Sequence, residues 1–573
     1  MSKKSCSKLM RIYGGDSETH NGPPISFQFY GEYAGKQTSV IVQAHTDTAT
    51  KTFLDTVSKL PQHGYKTPIT IYVHNLEFDL PSFFYDKKEK LLNEEFKFKA
   101  HGWTIEGVYS NVCFCTLTKG GRVIRLIDSY AFFKTSLAKL ADIICPHLPK
   151  LKAPNGLGEK WFSVEYKKFA DYAMRDAEIA YHVGEYLQKM HEQFDVTQAL
   201  SGPHFASRVF RRAYVQQVIP LPPRKIVYAA LHSYHGGKNN LTVAPGWYPD
   251  MRVIDIISAY PWAMRMLPSF YHADLYKEID GKGHPSEPLP YFGIYKIYGT
   301  VKDCPWPSLY THDFKPLKGE ADGVWVTGPE LNEALRMGEV QIDSLRGYYY
   351  DAKHDMSVSP FVEYIDTFFE KKDTAENPIM RLFYKVCLLN SLYGKFIQTR
   401  GGTENITLVA EDGTWSNESI LIAGGLFNPF IASLITGIVR ARIHELEHEY
   451  KAIHTSTDGI FTLEKNVKES AGLGGLKIEA VGDVQILRNK VYIIYGNEPV
   501  DVEKPFKSSV YADKYIIKYA LHGFHGRVTD LERMALTGEA EYEYTKVNKL
   551  RESLKRGLVV NKFEKRKARL LLK

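Results

Sequence analysis

The sequence predicts a multidomain protein that mixes α/β and α+β parts, and three observations lead there. At 573 residues the chain has room for about three to five domains of ordinary size. Strand-like runs lie at 69–74, 122–128, 252–257, 453–462 and 490–495, and runs with helical period lie at 163–192, 360–396, 430–450 and 528–556. The two kinds are interspersed without regular alternation. Two stretches break the pattern. Residues 274–330 are rich in Gly and Pro and read as an irregular inserted subdomain. Residues 399–425 alternate β-formers with Gly401-Gly402, Asp412-Gly413 and Gly424-Gly425, and read as a short β insertion.

Composition narrows the class. With 44% hydrophobic and 24% charged residues, disorder, collagen and coiled coil are excluded as the main state. The longest apolar run, 426–439, is interrupted by Asn428, Pro429, Ser433 and Thr436, and falls short of the ~18 residues of a membrane helix. No apolar segment follows the basic first residues, as a secretory signal would require. A soluble cytoplasmic protein with no membrane partner is expected. The net charge of +7 permits a polyanionic partner, and basic residues crowd the end of the chain from Lys546 to Lys573. Six cysteines without a Cys-x2-Cys pair signal neither a disulfide framework nor a structural zinc site.

The first third carries an ordered set of carboxylates. Asp16 and Glu18 form an Asp-x-Glu, common by itself. The apolar run 69–74 leads into Asn75-Leu76-Glu77-Phe78-Asp79. Tyr172 and Asp176 lie four apart on a helical stretch and share a face. Four carboxylates, Asp16, Glu18, Asp79 and Asp176, suffice to hold two divalent ions about 3.5–4 Å apart across a scissile phosphate. Oxygen ligands suit Mg²⁺ or Mn²⁺, and the Tyr172 phenol can orient an attacking water. Asn75 and Phe78 would hold a frayed strand end, Phe78 by stacking on a base. The set resembles the 3′–5′ exonuclease domain of proofreading DNA polymerases, an RNase H-like fold. Ser136-Leu137, followed by Leu140, resembles the single-strand-binding motif of such domains.

The rest of the chain holds three more blocks. Asp255 interrupts the apolar run 252–257, ahead of Ser258-Ala259-Tyr260-Pro261. A carboxylate in a buried strand is expensive unless a cation meets it, which a metal or a core ion pair would satisfy. Pro261 is expected to end the strand, and Tyr260 to pack beneath an incoming sugar with no room for a 2′-hydroxyl. In the helical stretch 381–396, Asn390, Tyr393 and Gly394 are poor choices for a helix interior. They make sense if a flat nucleotide lies on that face while Lys385 meets its phosphates. Residues 453–461 read as a hairpin turning at Asp458-Gly459, which would present Asp458 beside Asp255 in a second two-metal site.

These blocks resemble motifs A, B and C of family B DNA polymerases: Asp-x2-Ser-Leu-Tyr-Pro, Lys-x3-Asn-Ser-x-Tyr-Gly and Tyr-x-Asp-Thr-Asp-Ser. The branch they resemble is the small protein-primed one of phages and adenoviruses. Tyr234-His235-Gly236-Gly237 is similar to its template-binding Tyr-x-Gly-Gly, and Lys490-Val491-Tyr492 to its primer-contacting Lys-x-Tyr. The resemblance implies an exonuclease domain (1–188), a palm in two parts (189–265 and 425–525), fingers (362–396) and a thumb (526–573). It also implies an insertion that grips a terminal protein (266–361) and one that serves strand displacement (397–424). The implied activity is template-directed DNA synthesis with proofreading, on DNA template and primer with dNTPs, two Mg²⁺ (or Mn²⁺) ions per active site and a terminal protein as primer. A monomer in the cytoplasm of a viral host fits that picture. Primer-independent or DNA-primed initiation is the alternative, and a nuclease or DNA-binding scaffold with an inactive palm is another.

Four positions depart from the family pattern. Ala259 replaces Leu in motif A. Lys385 and Asn390 are separated by four residues instead of three; one π-type turn would restore the register, and Arg381 is the fallback cation. Ser456 stands at the first aspartate of motif C and Gly459 at its serine, leaving Asp458 as the principal metal ligand.

Overall fold

The computed structural model describes residues 11–33, 35–61, 68–93, 95–110, 112–153, 165–409, 415–497, 506–508, 510–511, 513–522, 528–537 and 541–569. The chain divides into two compact units. The first comprises residues 1–212, 370–391 and 546–564, the second residues 213–369, 392–545 and 565–573.

The first unit is built on eight strands: β1 (Arg11–Thr19), β2 (Pro24–Tyr33), β3 (Lys36–Gln43), β4 (Ile69–Val73), β5 (Glu95–Ala100), β6 (Trp103–Val108), β7 (Phe114–Lys119) and β8 (Arg122–Asp128). They form one sheet in the order β3-β2-β1-β4-β8-β7-β6-β5. β1, β4 and β8 run parallel and the remaining pairs antiparallel. Parallel strands are covered on both faces, which is why β4 reads as an unbroken apolar run and is buried throughout. The helix Tyr166–Gln193 packs so closely on β1 that a Cβ on Gly14 would stand 1.8 Å from the Ala177 carbonyl oxygen. Only glycine tolerates that approach. On the opposite face Phe53 and Phe83 stack with centroids 4.6 Å apart inside a core that includes Leu550 and Val560. Asn561 donates to the Phe78 carbonyl oxygen at 2.8 Å, so residues 546–564 are a working part of this unit.

The second unit carries β9 (Lys238–Leu241), β10 (Gly246–Ile256), β11 (Tyr276–Lys282), β12 (Gly293–Val301), β13 (Gly319–Thr327), β14 (Val340–Tyr350), β15 (Thr399–Val409) and β16 (Trp415–Ala423). It continues with β17 (His454–Thr457), β18 (Gly459–Thr462), β19 (Leu476–Arg488), β20 (Val491–Gly496), β21 (Phe506–Lys507) and β22 (Tyr515–Leu521). Eight of these form its main sheet in the order β21-β22-β20-β19-β10-β18-β17-β9. The helix Pro429–Glu449 is buried along most of its length, which accounts for the apolar run that approached membrane-helix composition. Among the described residues no helix is long and apolar enough to cross a membrane.

Two expectations change here. The stretch 274–330 is regular where irregularity was expected: β11-β14-β12-β13 form an antiparallel sheet with the helix Gly328–Arg336 against it. Its prolines lie in the connections between strands, so they mark loops of an ordered subdomain. The expected helical stretch 528–556 breaks into the helix Val528–Thr537, β23 (Glu541–Val547) and the helix Leu550–Arg556. Tyr542, Tyr544 and Val547 favour a strand, and the helical signal on either side hid them. β23 pairs with β24 (Phe563–Arg569). The expected β insertion is the hairpin β15–β16, whose Asp412-Gly413 turn lies outside the described residues.

Candidate functional site

The first unit gathers its carboxylates on the inner strand β1. The two-residue period of a strand puts Asp16 and Glu18 on one face. Asp79 reaches them from the helix Leu76–Phe83, where its Oδ1 accepts from the Ser17 backbone N–H at 3.0 Å and from Ser17 Oγ at 2.6 Å. Asp176 reaches them from the helix that Gly14 admits. The electrostatics reflect that proximity. Burial, then the charges of Asp79, Glu18 and Asp176, push Asp16 well above the carboxylate range. Burial and the same neighbours push Glu18 up to about 8, while burial takes Asp79 up to about 7 against the two Ser17 hydrogen bonds. Carboxylates that resist ionising together form a site that a divalent cation would relax. Tyr172 belongs to the group, its phenol raised by burial and by Glu18, Asp176 and Asp16.

Asn75 adopts the left-handed conformation (φ 68°) ahead of the Asp79 helix and is exposed, with Phe78 half-buried one turn on. Ser136 caps the helix Leu137–Ile144 by accepting from the Lys139 N–H at 3.3 Å, and Leu137 is buried. Two further groups escaped the sequence reading. Lys150 pairs with Asp176 and faces Asp16 and Glu18. A single lysine in a loop gave no signal for it. Asp128, at the end of parallel β8, accepts from the N–H groups of Asn75 and Tyr130 at 2.9 Å and adds its charge to Asp79. The signal there was an acid closing a buried strand.

The π-type turn expected between Lys385 and Asn390 is present. The helix Pro378–Leu382 runs into a π-helical segment, Phe383–Leu389, and the Asn390 N–H donates to the Lys385 carbonyl oxygen, five residues back, at 3.1 Å. Phe383 anchors the segment against Phe205 and Phe133. Arg381 lies one turn ahead of Lys385. The helix ends at Leu389, so Asn390 sits at its C-cap, and Tyr393 and Gly394 begin a 3₁₀ turn beyond it. The helix interior they were read into is absent.

In the second unit Asp255 and Asp458 are neighbours. Asp255 ends the pairing of β10 with β18 opposite Gly459, and the Ile256 N–H donates to the Asp458 carbonyl oxygen at 3.0 Å. The hairpin turn lies one residue earlier than the Asp-Gly signal placed it. Ser456 pairs with Gly459, Thr457 carries the positive φ (62°), and Asp458 is the second turn residue. Gly459 serves close approach instead: a Cβ there would come within 3.1 Å of the Ile254 carbonyl oxygen and 3.5 Å of Asp255 Oδ1. Burial and the Asp255 charge push Asp458 up to about 6. Burial raises Asp255 while Lys477, 3.1 Å away on β19, pulls it down. A divalent cation beside the two carboxylates would relieve the repulsion between them.

Around this pair the structure brings together what the sequence placed far apart. Tyr260 lies on the short helix Ala259–Arg265 and stacks on Tyr393, with centroids 4.3 Å apart and planes 8° from parallel. Pro261 sits inside that helix's first turn, where its missing N–H is harmless, because the strand has already ended at Ile256. A Cβ on Gly237 would meet Thr457 Cγ2 at 2.5 Å and Tyr260 Oη at 3.0 Å, whereas Gly236 faces open space. Tyr234 faces the same group, since its charge contributes to raising both Tyr260 and Tyr393. Lys490 is left-handed (φ 61°), and Tyr492 is buried against His454 and Phe461.

Residues 157–423 match the family described as DNA polymerase type B, organellar and viral. A probable DNA polymerase of Neurospora intermedia is 25% identical over 360 residues, 55% of this chain and 36% of that protein. The chain thus matches about a third of that relative's length. Phi29 DNA polymerase, complexed with primer-template DNA and incoming nucleotide substrates, superposes with a TM-score of 0.68 at 17% identity, covering 99% of this chain and all of that one. Its complex with single-stranded DNA gives 0.67 at 18% identity, over 97% and 100% of the two chains. The expected fold is the fold found, an exonuclease domain with a palm, fingers and thumb. The resemblance drawn from the motifs stands.

Proposed function

We propose that the protein is a DNA-directed DNA polymerase with a 3′–5′ proofreading exonuclease, replicating a viral or mobile-element genome from a protein primer with strand displacement. One observation carries the polymerase reading: Asp255 and Asp458 meet at a single turn, beside Tyr234-x-Gly236-Gly237 and the Tyr260–Tyr393 stack. Asp255 and Asp458 would hold Mg²⁺ or Mn²⁺, which would supply the charge needed to acidify a 3′-hydroxyl and steady departing pyrophosphate. The chain's own residues do the rest. The stacked tyrosines offer a flat floor to the nucleotide sugar, and Tyr260 leaves no space for a 2′-hydroxyl. Lys477, 3.1 Å from Asp255, offsets part of the upward push that burial gives its carboxyl. Lys385, with Arg381 behind it, is assigned the triphosphate, and Asn390 the nucleotide. Tyr234, Gly236 and Gly237 take the template, and Lys490 and Tyr492 the primer end.

Asp16, Glu18, Asp79 and Asp176 are assigned the second pair of ions, with Tyr172 holding the hydrolytic water. Asn75, Phe78, Ser136 and Leu137 hold the strand being trimmed. The assignment of 266–361 to a terminal protein and 397–424 to strand displacement is supported by the phi29-type fold and by each segment carrying its own sheet. The working form is a monomer in the cytoplasm of a host cell.

Primer extension tests the reading on an exonuclease-silenced background, Asp16→Ala with Asp79→Ala. Asp458→Asn is expected to lower extension by roughly a thousandfold or more, the several kcal/mol of charge stabilisation lost with an ion site. Unchanged extension by that variant would remove the site from the reaction. Synthesis on a bare template without primer or partner would select primer-independent initiation over protein priming. Ser456, which leaves one acid fewer beside the metals, favours a second reading as an inactive palm. A folded protein that binds DNA and extends nothing would select it.

A further inference from the structure

The helix Pro429–Glu449 contains His444-Glu445-Leu446-Glu447-His448, a His-Glu-x2-His whose two histidines share one face at four-residue spacing. Against that face lies Glu339, at the start of β14, its side chain 7% exposed. Glu339 Oε2 stands 3.1 Å from His444 Nε2, and Glu339 Oε1 stands 2.9 Å from His448 Nε2. Donor atoms of all three residues lie within 4.8 Å of one another.

These contacts are short, yet they do not satisfy the groups. Both ring nitrogens of His444, Nε2 of His448 and Oε2 of Glu339 are buried without a hydrogen-bond partner of acceptable geometry. His444 is 2% exposed, so bulk solvent does not reach it. The neighbouring Glu447 stands 3.7 Å from His444 Nδ1, too far for a hydrogen bond, and is itself paired with Lys238 and accepts from Thr455 Oγ1 at 2.5 Å. Orphaned buried donors and acceptors of this kind cost about 1–3 kcal/mol each unless something coordinates them.

We infer that Glu339, His444 and His448 bind one Zn²⁺ ion, with Cys304 Sγ as the fourth ligand. Cys304 Sγ donates to the Trp306 carbonyl oxygen at 3.0 Å and stands 3.8 Å from Glu339 Oε1, so it would turn from that carbonyl to join the three residues that already converge. Zinc bonds of about 2.0–2.3 Å in a tetrahedron put donor atoms roughly 3.3–3.7 Å apart. The Glu339–histidine contacts of 2.9 and 3.1 Å are slightly shorter than that and the Cys304–Glu339 contact of 3.8 Å slightly longer, so small side-chain adjustments would seat the ion. Two imidazoles, a carboxylate and a thiol select Zn²⁺ over the Mg²⁺ or Mn²⁺ of the carboxylate sites, which prefer oxygen alone. The site is structural and not hydrolytic. Glu445, where a zinc protease of this motif keeps its general base, turns away to pair with Arg442 and is 42% exposed. What the ion would join is the buried helix, the strand β14 and the Cys304-Pro305-Trp306-Pro307 loop. Trp306 already rests that loop on His448, with ring centroids 4.9 Å apart.

The test is metal content of the full chain after growth with zinc and dialysis against metal-free buffer. About one zinc per chain is expected, falling below about a fifth of that in His444→Ala/His448→Ala and unaffected in Asp16→Ala/Asp79→Ala. Cobalt replacement of the wild-type zinc should give tetrahedral d–d absorption with a thiolate charge-transfer band, and Cys304→Ser should lose that band alone. Because the histidine variant removes two packed side chains from a buried helix, chelation of the unaltered protein supplies a second readout, a lowered melting temperature restored by Zn²⁺ and not by Mg²⁺. Wild-type protein that neither retains zinc nor takes up cobalt overturns the inference, as does zinc that persists in the folded histidine variant.

Discussion

Arg440 donates from Nε and Nη2 to the two carboxylate oxygens of Glu330, at 2.6 and 2.8 Å, with both side chains almost wholly buried. Its Nη1 donates to the carbonyl oxygens of His235 and Gly236 at 2.6 and 3.0 Å. One buried cation thus balances an acid and fixes the loop that brings Gly237 against Tyr260. Removing a single partner strands a charge, so Arg440→Met is expected to destabilise the second unit by about 3–5 kcal/mol. Arg440→Met with Glu330→Met should recover most of that in urea denaturation while still binding primer-template more weakly, because the loop carbonyls have lost their donor. A double variant as unstable as the single one would show that the pair is not the source.

The carboxylates gathered around Asp16 make the metal-free protein sensitive to pH in a defined direction. Burial, reinforced by neighbouring acids, raises Glu18 from 4.5 to about 8 and Asp79 from 3.8 to about 7. Both folded values exceed the unfolded ones, so the folded state holds the extra protons. The stability they contribute is complete below about pH 4 and is lost as pH rises through 7 and 8. With chelator present, the melting temperature of the first unit should therefore fall between about pH 5 and about pH 8.5, and Mg²⁺ should restore it at the upper end. Glu18→Gln should flatten the dependence. A melting temperature that climbs with pH under chelation would contradict the arrangement.

What was legible in the sequence was what depends on local pattern. β8 spans the run read from its alternation, and Asp16, Glu18, Asp79 and Asp176 converge as their order suggested. The register problem at Lys385 was soluble because an inserted residue in a helix has few places to go. What was hidden depends on partners distant in sequence. Glu330 and Arg440, 110 residues apart, announce nothing separately. Lys150 is one lysine among many until the fold sets it on Asp176. The turn at Thr457-Asp458 went to the wrong pair because Asp-Gly is a strong hairpin signal, while the glycine was needed for its approach to Ile254.

The Tyr260–Tyr393 stack predicts how the nucleotide pocket reads sugars. With planes 8° apart, Tyr393 holds the Tyr260 ring in one orientation. Tyr260→Val should relax discrimination against ribonucleotides by roughly tenfold to a hundredfold, the range for removing a steric contact of 1–3 kcal/mol. Single-nucleotide insertion with paired dNTP and rNTP measures it. Tyr393→Ala should relax it less, since the blocking ring remains and only its support is lost. Equal discrimination in all three proteins would place the 2′-hydroxyl elsewhere.

The π-helical segment Phe383–Leu389 makes the last prediction. If the Asn390-to-Lys385 hydrogen bond across five residues exists to absorb one surplus residue, deleting Val386 should convert it to an ordinary α-turn and leave Lys385 in register. Extension by that deletion variant should stay within about tenfold of wild type. Lys385→Ala, by contrast, removes a charge-assisted bond to phosphate worth about 1.5–3 kcal/mol and should lower kcat/KM for dNTP by roughly tenfold to a hundredfold. The loss should appear mainly in KM if the lysine holds the triphosphate throughout, and mainly in kcat if it acts only as pyrophosphate departs. If Arg381→Ala proves more damaging than Lys385→Ala, the phosphate contact belongs to the earlier turn, and the π-helical segment serves packing around Phe383 alone.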